Sequence, residues 1–115
     1  MIREGEIVLF RFPQTDLQRG KLRPALIIRK LPSLYDDWLI CMISTQLSQK
    51  LDNIDEVMDP EDDDFKESGL KSPSLCRVTR LAVINKSILE GSLGSISQER
   101  LTRIKRIISE WIKGS

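Results

Sequence analysis

A chain of 115 residues is long enough to form one domain with a real hydrophobic core and too short for two. It contains no histidine, which excludes the usual acid–base pair of RNA cleavage, Ser-His-Asp hydrolysis and most metal sites. The net charge is +1, but eight of the 17 acids lie between Asp52 and Asp64, and the remainder of the chain carries +9. This distribution favours an anionic partner.

The expected compartment follows from the first residues, the hydropathy and the cysteines. The chain runs directly into a predicted strand without a secretory signal, and no apolar run approaches membrane-spanning length. Cys41 and Cys76 lie in apolar strand contexts without the spacing of a zinc site, which predicts free, mostly buried thiols. A disulfide between them is the alternative. We therefore expect a cytoplasmic protein that does not enter a membrane.

The first predicted strand, Gly5–Phe12, begins at a glycine and is ended by Pro13. The connection that follows, Pro13–Leu22, spans ten polar-rich residues with Asp16 as its only carboxylate. Long loops on rigid sheets tend to be functional, and an ordinary surface loop fits the composition equally well.

The second predicted strand contains the apolar run Ala25–Ile28, with Pro24 at its first position, where a missing hydrogen-bond donor costs least. Proline biases the preceding residue toward extended backbone, so Arg23 is expected at the mouth of a core strand. An arginine fixed in this way can grip a phosphate bidentately. Alternatively, Arg23 only solvates the end of the sheet.

Trp38–Ile43 is predicted as the third strand, and its end at Ser44–Gln46 carries hydroxyls that can donate to a phosphate or simply make a turn. Ile54–Met58 is a weak strand with interleaved acids. Pro60–Asp64 lacks the ligand spacing, glycine and terminal glutamate of a calcium-binding loop, and we interpret it as a solvated acidic loop.

After a turn at Gly69–Pro73, the alternation of Ser74–Leu81 predicts a strand that places Leu75, Arg77 and Thr79 on one face. Gly91–Ile96 is the last predicted strand. Ser97 then caps a helix whose apolar stripe is Leu101, Ile104, Ile107, Ile108, Trp111 and Ile112. Its bases, Arg100, Arg103, Lys105 and Arg106, are interpreted as solvated charges. The prediction is a mainly β protein of five to seven short strands closed by one C-terminal helix, a small half-open barrel.

The polar groups expected at strand ends can form an oxyanion cradle for a phosphodiester. They are Arg23, Ser44, Thr45, Arg77 and Thr79. RNA carries its own nucleophile, the 2′-OH, so a site of this kind needs only to align that group and stabilise the charged transition state.

Several segments, in their order along the chain, resemble the MazF/PemK toxin family. They are Gly5–Pro13, Thr15–Leu17, Lys21–Ile28, Ile43–Gln46, Gly69–Leu81 and Leu93-Gly94-x-Ile96-Ser97. Each motif is weak by itself, but together and in this order they are specific. The resemblance implies an SH3-like barrel spanning residues 1–115, which forms a homodimer. It also implies a type II toxin that cuts single-stranded RNA without metal or other cofactor, and a cognate antitoxin whose disordered tail covers the RNA groove.

The resemblance assigns roles to individual residues. Arg23 matches the phosphate-gripping catalytic arginine, Arg77 matches the second catalytic arginine, and Ser44 keeps the hydroxyl where many members have threonine. Further RNA contacts are expected from Thr15, Arg19, Lys21, Thr45 and Gln46.

Two departures from the family pattern each remove a candidate general base. Thr79 stands where the PemK branch has an aspartate, and no glutamate precedes Gly20 in the long loop. Either Asp16 substitutes as the base, or catalysis is slow and depends on the arginine pair, or the activity is lost.

Two alternative functions stay open. One is a non-catalytic toxin of the CcdB type, a gyrase poison that uses a tryptophan near its C-terminus, although Trp111 fits the apolar stripe and is predicted in the core. The other is a degenerate member that binds only RNA or antitoxin. A homodimer is also expected because one helix covers only one side of a small apolar sheet.

Overall fold

The computed structural model describes residues 2–11 and 21–114. Within them the strands are β1 (Glu6–Arg11), β2 (Leu22–Lys30), β3 (Asp37–Ser44), β4 (Glu56–Met58), β5 (Ser74–Asn85) and β6 (Leu89–Ser95). The helices are α1 (Phe65–Ser68) and α2 (Gln98–Lys113), with single 3-10 turns at Leu47–Gln49 and Lys86–Ile88. The predicted mainly β architecture with a C-terminal helix is confirmed.

All six strands belong to one antiparallel sheet in the order β4-β5-β3-β2-β1-β6. Side chains alternate between its faces, and each face has its own core. Helix α2 covers one core, which it enters through Leu101, Ile104 and Ile108. On the other face, Val8, Ile27 and their neighbours form a second cluster that is already buried in a single chain. The apolar strand face from which we expected a homodimer is therefore not left open.

Strand β2 begins earlier than predicted. Pro24 is its third residue, aligned with Leu9 of β1, so its placement at the first position of the strand was wrong. The pairing of β2 with β3 begins only at Ala25, so Pro24 has a neighbouring strand on one side. A proline is tolerated in such a position because no ladder donor is needed on the open side.

Two glycines allow the segment between β4 and β5 to contact β6, the strand at the opposite end of the sheet. Gly69 ends α1 in the left-handed region at φ 74°, and a Cβ there would lie 2.1 Å from the carbonyl oxygen of Leu93 in β6. A Cβ on Gly94 would lie 2.0 Å from the carbonyl oxygen of Glu67. Only glycine permits these backbone contacts, and through them the turn before β5 closes against β6.

The acidic segment Pro60–Asp64 is solvated only in part: Pro60, Glu61 and Asp63 are exposed as predicted, whereas Asp62 and Asp64 pair with an arginine of α2. Arg100 of α2 is only 6% exposed. Its guanidinium binds both carboxylate oxygens of Asp64 at 3.0 and 3.1 Å, and donates to Asp62 at 2.8 Å and to Glu56 at 3.1 Å. Arg103 holds the same Glu56 bidentately at 2.8 and 2.9 Å. Burial favours pairing of this kind because an isolated charge would be costly.

The contacts in this network lower the pKa of Asp64. Burial alone would raise the pKa of Asp64, but the Arg100 guanidinium and the Ser97 N–H that bind this carboxylate outweigh burial and lower its pKa below the ordinary value. Arg100 and Arg103, interpreted from the sequence as solvated helix charges, are instead paired with the acids. These two bases do not contribute to a free basic surface.

Helix α2 begins as predicted and ends differently. The Ser97 side chain accepts a hydrogen bond from the Arg100 N–H at 3.1 Å, which is the expected N-cap. The apolar stripe is buried only as far as Ile108. Trp111 is 48% exposed and Ile112 is 67% exposed, so the prediction of Trp111 in the core was wrong. The last turn of the helix is therefore not covered by the described part of the chain.

Cys41 and Cys76 are free and buried, as predicted, with 3.3 Å between their sulfur atoms. The hydrogen bond to Cys41, together with burial, raises the pKa of the Cys76 thiol well above its ordinary value, so this thiol is protonated and weakly nucleophilic. Among the described residues no helix is long and apolar enough to cross a membrane.

Candidate functional site

A cleft of about 250 Å³ opens on the side of the sheet where β2 and β5 begin and β3 ends. Strands β2 and β5 both run antiparallel to β3, so the start of β2, the end of β3 and the start of β5 meet on this side. The lining residues are Lys21, Leu22, Arg23, Pro24, Ile43, Ser44, Thr45, Gln46, Leu70, Lys71, Ser72 and Ser74. The cleft therefore brings together five of the predicted site residues: Lys21, Arg23, Ser44, Thr45 and Gln46.

Arg23 is exposed and extended on this side, as predicted from the proline that follows it. Ala25, Met42 and Arg77 form one row across β2, β3 and β5. Arg23 lies two residues before Ala25, and Ser44 lies two residues after Met42. Because side chains alternate along strands, Arg23, Ser44 and Arg77 are placed on the same face of the sheet.

Ser44 has a structural contact that leaves its proton available. Its hydroxyl oxygen accepts the Gln46 N–H at 3.0 Å, which fixes the turn after β3. A hydroxyl has one donor besides its acceptor lone pairs, so Ser44 can still donate to an anion in the cleft. The two interpretations of this strand end, turn and anion donor, are therefore compatible.

Arg77 lies beside the cleft and does not line it. Its Nη1 donates to Gln49 Oε1 at 2.9 Å, while its Nε is buried without a hydrogen-bond partner among the described residues. Gln49 belongs to the short turn after β3 and was not predicted as part of the site. It holds the Arg77 guanidinium on the face where Arg23 and Ser44 lie.

Thr79 lies in an irregular part of β5. Met42 pairs with Arg77 but its neighbour Cys41 pairs with Leu81, so the register shifts between these two pairs. Because regular alternation does not continue across the shift, spacing by two residues no longer places Arg77 and Thr79 on one face.

The register shift also explains the position of Asp55, which is buried near β5. Its Oδ1 accepts the Val78 N–H at 3.0 Å, and its Oδ2 accepts the Leu51 N–H at 2.9 Å. Both carboxylate oxygens are thus engaged by backbone donors, and Asp55 does not line the cleft. Its role is to satisfy a donor that the bulge releases.

The charge of the cleft is positive. Lys21, Arg23 and Lys71 line it, and the described lining residues include no carboxylate. Thr15, Asp16 and Arg19 lie outside the described residues. In the described part of the chain, no group of three or more Cys, Asp and Glu residues could hold a metal ion.

Sequence reasoning did not identify Lys71, Ser72 and Ser74, which line the cleft from the start of β5. They fall in the segment Gly69–Ser74, which was predicted as a turn leading into a strand and belongs to a stretch that resembles the family, but no site role was assigned to them. The antiparallel pairing of β3 with β5 was the signal that could have found them, because it brings this turn beside Ser44.

Comparisons with known proteins place the chain in a family. A search of curated protein sequences gave no match. A solved mycobacterial structure, described as an endoribonuclease in complex with its cognate antitoxin, is similar in fold: the TM-score is 0.69 at 13% identity, over 98% of this chain and 96% of the other. The family model of PemK-like, MazF-like toxins matches residues 3–112. The chain therefore belongs to the PemK-like, MazF-like toxins of type II toxin–antitoxin systems.

Proposed function

We propose that this protein is a metal-independent endoribonuclease that cleaves single-stranded RNA by attack of the 2′-OH on the adjacent phosphate. The observation that carries the proposal is the cleft at the ends of β2, β3 and β5, which is lined by cations and hydroxyls without a described carboxylate. Such a lining favours an oxyanion over a metal ion. Membership of a toxin family gives the activity a biological role, the arrest of growth.

Three residues at or beside the cleft have a proposed task. Arg23 binds the non-bridging oxygens of the scissile phosphate and stabilises the charge that grows on them. Ser44 donates a hydrogen bond to the same group. Arg77, held by Gln49 at 2.9 Å, supplies a second positive charge from the same face of the sheet.

The reaction exchanges one phosphorus–oxygen bond for another. The 2′-oxygen bonds to phosphorus and the 5′-oxygen leaves, which yields a 2′,3′-cyclic phosphate and a 5′-hydroxyl end. A base must take the proton of the 2′-OH, and the departing 5′-oxygen must receive one. We propose Asp16 as the base, since the position of Thr79 offers no carboxylate and Asp55 is engaged by backbone donors.

The partners proposed are the cognate antitoxin and a second copy of the chain, acting in the cytoplasm. The cleft of one chain is only about 250 Å³, so a homodimer would extend the surface available to RNA. An acidic antitoxin tail would be attracted to the same cations and would exclude RNA from the cleft.

One observation favours the alternative of a non-catalytic CcdB-like toxin. Trp111 is 48% exposed near the C-terminus, so it is available to contact a protein target. Exposed aromatic residues are common anchors of protein interfaces. In that case, toxicity would depend on Trp111, and RNA would stay intact.

The test is incubation of the purified protein with a long single-stranded RNA, in EDTA and in magnesium. We expect cleavage at a short recurring motif, with the same products and rate in both buffers. Intact RNA in both, from protein that still arrests growth when expressed, would contradict the proposal and favour the binding toxin. Cleavage only with magnesium would contradict metal independence.

A further inference from the structure

We infer that the turn between α1 and β5 forms a second phosphate subsite, in which Lys71 and Ser72 bind the phosphate adjacent to the one at Arg23. The inference rests on the proposed function, because it extends the RNA contact of the same cleft. Lys71 and Ser72 line the cleft together with Arg23. They enter it from the β5 side, whereas Arg23 enters from the β2 side, with β3 between them.

The separation of the two sides leaves room for two consecutive phosphates. Neighbouring strands are separated by about 4.8 Å, so β2 and β5 are about 10 Å apart across β3. The oxygens of a single phosphate lie much closer together than the two backbones do, so a shared phosphate would require both long side chains to converge on one point. Consecutive phosphates of an extended strand can span that width, with the hydroxyl of Ser44 lying between them.

The turn that carries Lys71 is anchored on both sides. Gly69 lies so close to β6 that a Cβ would meet the Leu93 carbonyl oxygen at 2.1 Å. Beyond Lys71, the Ser74 hydroxyl donates to the Ser72 carbonyl oxygen at 2.9 Å. A fixed backbone lowers the entropy cost of holding an anion, since only the lysine side chain must be ordered.

Lys71 forms no ion pair in the described part of the chain, and its side chain is exposed. Arg100 and Arg103 have the opposite situation, because acids neutralise both. Lys71 is thus a cation available to an anionic ligand, in a cleft with two others.

Salt dependence of RNA binding tests the inference, because each neutralised phosphate contributes about 0.7 to the slope of log affinity against log salt on a single strand. The probe is a 2′-fluoro RNA oligonucleotide, which lacks the nucleophile and is not consumed. We expect Lys71→Gln and Arg23→Gln each to lower the slope by about 0.7, and the double variant by about 1.4. Lys30→Gln, an exposed lysine at the far end of β2, is the matched control and should leave the slope unchanged.

Different results separate the inference from the proposed function. A double variant whose slope equals that of Arg23→Gln would show that Lys71 neutralises no phosphate of its own and would overturn the second subsite. A Lys71→Gln slope equal to the parent's would also overturn it, while leaving RNA cleavage intact. Salt slopes that fall as expected, from a protein that cleaves no RNA, would support the subsite and reject the nuclease. With cleavable RNA, Lys71→Gln should raise KM several-fold with kcat unchanged, since it holds a phosphate that does not react.

Discussion

Replacement of Arg23 by alanine should lower the rate of RNA cleavage by about 10²–10³, the usual cost of losing one donor to a developing oxyanion. Arg23 is exposed and precedes the buried residues of β2, so the free energy of unfolding should stay within about 0.5 kcal/mol of the parent value. Single-turnover cleavage and thermal unfolding measure the two effects separately.

The matched control for Arg23 is Arg29, an exposed arginine at the opposite end of the same strand. Arg29→Ala removes the same side chain and the same charge but leaves the cleft unchanged. We expect it to cleave RNA at nearly the parent rate. Equal losses from Arg23→Ala and Arg29→Ala would mean that net charge matters and the cleft does not.

Replacement of Gly94 by alanine should destabilise the fold by more than about 3 kcal/mol, which corresponds to a loss of about 10 °C or more in Tm. The added methyl group would lie 2.0 Å from the Glu67 carbonyl oxygen and 2.8 Å from the Ser68 carbonyl carbon. Both are backbone atoms, so no side chain can rotate away. Either the contact between α1 and β6 opens or β6 leaves its register with β1.

The control for this prediction is Gly91→Ala in the same strand. A Cβ there meets only the end of the Leu9 side chain, at 3.9 Å, so the change in stability should be within about 0.5 kcal/mol. Thermal unfolding of both variants gives the comparison. If Gly94→Ala were as stable as Gly91→Ala, the close contact between β6 and α1 would be wrong.

The local features of the fold could be predicted because they depend on neighbours in the sequence. The apolar runs at Ala25–Ile28 and Ile7–Phe10 each specify a strand. Ser97 caps α2 with its own side chain, three residues before the N–H that it binds. Patterns of this kind are contained within a few residues, and the observed elements differ from the predicted ones mainly in where they begin and end.

The features that were missed depend on pairs far apart in the chain. Asp64 and Arg100 are separated by 36 residues, and only the folded chain shows that this acid is held by a buried guanidinium. A stripe that continues to Trp111 predicts burial, but in the folded chain Trp111 is 48% exposed. The shift between Met42 and Cys41 likewise breaks an alternation that looks regular in the sequence of β5.

The candidate site was predictable in part for the same reason. Proline after Arg23 and the hydroxyls after β3 are local signals, and both lead to the cleft. Lys71 carried no local signal, because it enters the cleft through the pairing of β5 with β3. Nothing in the sequence selects Gln49 either, since its distinctive feature is the hydrogen bond to Arg77, 28 residues away.

Cleavage of a matched pair of RNA oligonucleotides shows whether the 2′-OH of the substrate is the nucleophile. Both carry the cleaved motif, and one has a single 2′-deoxynucleotide on the 5′ side of the scissile phosphate. If the cleft only aligns the substrate's own nucleophile and stabilises its charge, the all-ribose strand should be cut to a 2′,3′-cyclic phosphate in EDTA, and the substituted strand should stay intact at that bond while binding with similar affinity. Equal cleavage of the two strands would contradict attack by the 2′-OH, because the nucleophile would then come from water or from the protein.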